Sequence, residues 1–134
     1  MRKNLRTRAV MLLLGLCLTL TFAACGNSTA QSTEKYTIYF GLNDADTGKQ
    51  IVTLTEAREK LKAVCIAEGC GFTAQDAYGA YTADDGSVIS NDTLVAILMM
   101  TDEETAMRVA ETVKKELNLS SVLCEHTTVA YQFA

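Results

Sequence analysis

Proline is absent from the whole chain, so no cis-proline turn and no proline-rich ligand segment is on offer. Histidine occurs once, at His126. No C-x-x-C or H-x-x-H spacing accompanies it, and structural zinc needs four ligands at such spacings. A Gly-rich phosphate loop and a G-x-S-x-G nucleophile elbow are both missing. "DADTG" (Asp44–Gly48) starts like a calcium loop, but its glycine comes one place early and no glutamate stands at the twelfth position. Asp44 and Asp46 are therefore expected to build a turn. No internal repeat is present. These absences leave no complete catalytic set, no cofactor motif and no metal motif.

What is present begins with an address. Arg2, Lys3, Arg6 and Arg8 form a basic start, and Ala9–Ala24 is apolar apart from two threonines. That is the layout of a secretory signal over residues 1–24. An uncleaved membrane anchor is the alternative, but 16 residues fall short of the ~20 a span needs. "TFAACGN" resembles the lipobox of bacterial lipoproteins: Ala23 and Ala24 precede Cys25, the expected acceptor, with Phe22 where leucine is usual. The resemblance implies that Cys25 becomes the mature N-terminus and carries acyl chains such as palmitate. It places the protein outside the cytoplasm, anchored to a bacterial membrane; two or more chains hold stably.

Loss of the signal removes four of the 12 basic residues and none of the 16 acidic ones, leaving a net charge near −8. Such a chain is repelled by nucleic-acid phosphates and has no electrostatic hold on anionic lipid. Cys65, Cys70 and Cys124 remain, an odd number that excludes a full disulfide framework. Five residues apart, Cys65 and Cys70 do not face each other on one helix. A bridge between them needs the helix to end first, which Gly69 permits. The expectation for all three is burial as small hydrophobes.

Residues 25–35 read as the lipidated cysteine and a polar tether, and 36–134 as a single domain. "YTIYFGL" (Tyr36–Leu42) has strand composition. Thr53 and Glu56 form a capping box, with Leu54, Ala57, Leu61, Val64 and Cys65 on the buried face of the helix they open. Gly69 and Gly71 stop it. Asp85-Gly86 predicts a two-residue hairpin turn between Phe72–Asp84 and Ser87–Met100. A second helix is expected from Thr101, boxed to Glu104, with Met107, Ala110, Val113 and Leu117 buried, Lys114 and Lys115 in its last turn and Asn118 as its stop. Val122–Phe133 reads as the last strand. The order β-α-β-β-α-β predicts an α+β, ferredoxin-like fold: an antiparallel four-stranded sheet, strands one and three central, two helices on one face.

A two-residue turn at Asp85-Gly86 pairs residues whose numbers sum to 171. Asp76, Tyr78, Asn91 and Thr93 then share one sheet face above an apolar floor of Phe72, Val95, Ile97 and Met99. A few polar groups converging over such a floor are the expected ligand site; the competing reading is an ordinary half-exposed edge strand. His126 shares a face with Cys124 and reads as a solvated edge residue. The first functional expectation is thus a non-catalytic ligand- or partner-binding module. The alternative is a small enzyme, a homodimer through the sheet face, with Asp76, Tyr78 and His126 in the enclosed cavity.

The domain also resembles an uncharacterised family of small secreted bacterial proteins. The residues that carry this are Tyr39, Phe40, Gly41 and Leu42 ("YFGL"), then Gly71, Phe72, Thr73, Asp76, Ala77 and Gly79 against a "GLTVxDAxGQW" strand. Asp85-Gly86 and Val95–Leu98 follow in order. Ala80 and Tyr81 replace glutamine and tryptophan, and Asn91 stands where glutamate is expected. The resemblance implies no reaction.

Overall fold

The computed structural model describes residues 30–133. The expected signal and the expected lipid acceptor Cys25 lie outside the described residues. The elements are β1 (Gln31–Gly41), α1 (Leu54–Ala67), β2 (Phe72–Thr82), β3 (Val88–Met99), α2 (Glu103–Glu116) and β4 (Leu123–Tyr131). They form one antiparallel sheet in the order β2-β3-β1-β4. This is the expected ferredoxin-like arrangement, with the two most apolar strands central. β1 starts at Gln31 rather than Tyr36, so residues 31–35 of the expected tether are strand, paired to β4 from Gln31↔Tyr131 onward.

Each helix has a local cause at both ends. The Thr53 hydroxyl accepts the Glu56 N–H, and Glu56 accepts the Thr53 N–H at 2.9 Å, the predicted box. α2 departs from expectation. Its cap is Asp102, whose carboxylate accepts the Thr105 N–H at 2.7 Å. A charged acceptor one residue inside Thr101 displaces the weaker hydroxyl. Ala110, Val113 and Leu117 are buried as expected, joined by Ala106 and Val109, whereas Met107 is 36% exposed. Asn118 (φ +50°) ends α2 and Gly69 (φ +69°) ends α1, both in the left-handed region.

The hairpin corrects the predicted register. Gly86 N–H donates to the Ala83 carbonyl and Ala83 N–H to the Ser87 carbonyl, both at 2.9 Å. Asp84, Asp85 and Gly86 thus make a three-residue loop in which Gly86 alone has positive φ, +82°. The Asp85 carboxylate accepts the Ser87 N–H at 2.9 Å and the Ser87 hydroxyl at 2.6 Å. That local turn keeps Asp85 out of the left-handed conformation a two-residue loop requires. Pairs across β2 and β3 sum to 170, from Phe72↔Leu98 to Thr82↔Val88. A slip of one residue turns every β2 side chain to the other face.

In this register even numbers pair with even across all four strands. Even-numbered Ile38, Phe40, Leu94 and Leu98 form the core with Leu61, Val109, Val113 and Leu117 of the helices. Phe40 and Leu61 are fully buried; truncating either to alanine costs about 2–5 kcal/mol. Odd-numbered residues occupy the face that no helix covers.

Candidate functional site

The open face holds a row of small residues. Ala77, Thr93 and Gly41 are opposed across β2, β3 and β1, and Gly79 faces Asn91 beside them. Larger side chains rise on both sides: Tyr39 and Leu123 on one, Tyr81 on the other. The result is a concavity of about 500 Å³ whose far rim is Ser120 and Ser121.

At two of these positions a side chain would crowd Asn91. A Cβ on Gly41 would stand 2.8 Å from Nδ2 of Asn91, and one on Gly79 would stand 3.2 Å from its Oδ1. The Asn91 carboxamide therefore lies flat across both neighbouring strands. Its Oδ1 is 3.4 Å from the Thr93 hydroxyl. Among the described residues Nδ2 donates no hydrogen bond. The floor thus offers amide donors, an amide oxygen and a hydroxyl, flanked by aromatic rings. No Asp, Glu, Lys, Arg or His lines it. The Tyr39 hydroxyl donates to Glu125 at 3.0 Å, and this bond raises its pKa above the ordinary phenol value.

The corrected register divides the expected site. Asn91 and Thr93 belong to the floor. Asp76 is on the helix face, where both its oxygens accept from Arg58 of α1 at 2.8 Å. Tyr78 also has even parity and borders the concavity only from the edge strand, with 72% exposure. The catalytic alternative of Asp76, Tyr78 and His126 does not assemble. β2 and β4 are opposite edges of the sheet, roughly 14 Å apart at ~4.8 Å per strand. His126 instead stacks on Tyr36, with centroids 4.7 Å apart and planes 6° from parallel, and pairs with the Glu34 carboxylate. Gly41, Gly79 and Tyr39 were not among the expected site residues. Glycine inside a strand was the available signal, since it marks a close approach.

Neither a family model nor a curated protein sequence matches the chain. Solved structures do match its fold. A phage SAM lyase in the apo state superposes with a TM-score of 0.57 at 15% identity, covering 77% of this chain and 93% of that one. The same lyase in complex with S-methyl-5'-thioadenosine gives 0.53 at 17%, covering 75% and 90%. The periplasmic divalent cation tolerance protein CutA from Archaeoglobus fulgidus gives 0.51 at 12%, covering 77% and 88%. At such identities the likeness concerns architecture alone, and the ferredoxin-like fold is what this chain shares with them.

Proposed function

We propose that this chain is a lipid-anchored, extracytoplasmic binding module that takes a small uncharged ring compound on its open sheet face. The observation that carries the ligand site is the glycine-floored concavity over Asn91 and Thr93, with aromatic walls and no ionised lining. An anionic ligand would give up hydration there and gain no counter-ion. A neutral ring gains stacking from Tyr39 or Tyr81 and hydrogen bonds from Asn91. The thioadenosine held by the phage lyase is an uncharged molecule of this class and a natural first probe. Gly41 and Gly79 both lie in the runs that resemble the uncharacterised secreted family, and membership of that family is part of the same reading. A homodimer through the open face would cover Ile97, Met99 and Leu123 and deepen the concavity.

Thermal melts with S-methyl-5'-thioadenosine, adenosine and AMP test the ligand class, because AMP adds only a phosphate to the same ring. At about 100 times Kd a nucleoside adds ~2.7 kcal/mol, a midpoint shift of roughly 10 °C for a domain of this size. AMP is expected to give none, and Gly41→Val or Asn91→Ala to abolish the shift. Equal stabilisation by AMP would refute the uncharged site. For the anchor, cells fed an alkyne-tagged fatty acid should label the wild-type protein and not Cys25→Ala. Unlabelled wild-type protein removes the lipid anchor.

A further inference from the structure

The turn that ends α1 brings two thiols together. Past the left-handed Gly69, its N–H bonds the Ile66 carbonyl at 3.2 Å and the Cys70 N–H bonds the Cys65 carbonyl at 3.0 Å. In this paired closure the third-last helical residue and the second residue beyond the cap pack side chain on side chain. Those two positions are Cys65 and Cys70. Cys65 has no exposed surface, and Cys70 is half-buried against the same core. Both thiols are free. Cys124 takes no part: α1 packs on β2 and β3, whereas Cys124 stands on β4 at the opposite edge.

We propose that Cys65 and Cys70 are a disulfide-forming pair, closed by exchange with a small-molecule disulfide. The half-buried Cys70 sulfur, as thiolate, attacks one sulfur of the oxidant. One oxidant thiolate leaves and takes up the proton Cys70 released. The Cys65 sulfur then attacks the Cys70 sulfur of the mixed disulfide, and the second oxidant thiolate leaves with the Cys65 proton. Two protein thiols become one disulfide as the oxidant disulfide becomes two thiols. The backbone closure already sets the two residues side by side. Burial pushes the Cys65 thiol up to about 12. Ring closure is therefore expected to quicken as the pH rises. The bond staples the end of α1 to the chain just before β2, the strand that carries Gly79.

The test uses the full chain in detergent, incubated with oxidised glutathione at pH 7, 8 and 9, alkylated, and digested with trypsin without reduction. Cys65 and Cys70 fall on one tryptic peptide, residues 63–108, and Cys124 on another, residues 116–134. The expected product is the 63–108 peptide, unalkylated and lighter by two hydrogens, formed faster at higher pH. Cys65→Ala should instead accumulate glutathione on Cys70, which shows that the oxidant reaches it. Cys70→Ser should leave Cys65 free. A wild-type protein that retains the glutathione adduct at pH 9, or whose two thiols both stay free, overturns the pair.

Discussion

Asp44 shows how one side chain fastens two distant parts of the molecule. Its carboxylate accepts the N–H groups of Asp46 and Thr47 and the Thr47 hydroxyl, and it also accepts the Asn118 amide at 2.8 Å. The loop after β1 is thereby tied to the stop of α2, where Ala45 also bonds the Asn118 carbonyl. The Asn118 bond, followed by those from Thr47, holds the Asp44 carboxyl below its ordinary value. The sign follows directly. A depressed carboxylate contributes stability that is complete above its unfolded value, about 3.9, and is lost as pH falls through the folded value. Asp85 and Asp102 are lowered in the same way by Ser87 and Thr105. Melts of wild type and Asp44→Asn should therefore differ most near pH 7 and converge as the pH drops toward 3. A gap that stays constant across that range would show that the charge of Asp44 is not what matters.

At the level of the element, the sequence was most legible where one residue's chemistry decides the outcome. The Thr53-Glu56 pair marked the start of α1 because each group satisfies the other's orphan N–H. Thr53→Ala should cost about 1 kcal/mol, read as a lower urea midpoint at unchanged slope; no change in midpoint would deny the cap its role. Strand order was legible as well, since only the central strands are apolar enough to be flanked on both sides. The hairpin was not legible. Asp84-Asp85-Gly86 can close as two residues or three, and the Asp85–Ser87 side-chain bond that selects three belongs to no periodic pattern. That one residue moved Asp76 to the helix face and parted Tyr78 from Asn91 and Thr93. It likewise concealed Gly79 as the partner of Asn91. The cap of α2 failed for a similar reason: Thr101 and Asp102 are both acceptors, and their order of strength decides between them.

In the molecule as a whole, helices cover one face of the sheet and leave the other to side chains such as Ile97 and Met99. On the proposed dimer, light scattering of the detergent-purified protein should return twice the chain mass plus detergent, and Ile97→Lys should return one. A wild type that stays monomeric at micromolar concentration removes that interface. The direction of β1 has a separate bearing on what the protein meets. The strand starts at Gln31 and reaches the ligand floor at Gly41, a rise of about 33 Å at ~3.3 Å per residue. With lipid on Cys25, only residues 26–30 precede that start, at most about 18 Å of chain. On the proposed anchor, the binding cup therefore stands a full strand length from the point where the tether joins the domain.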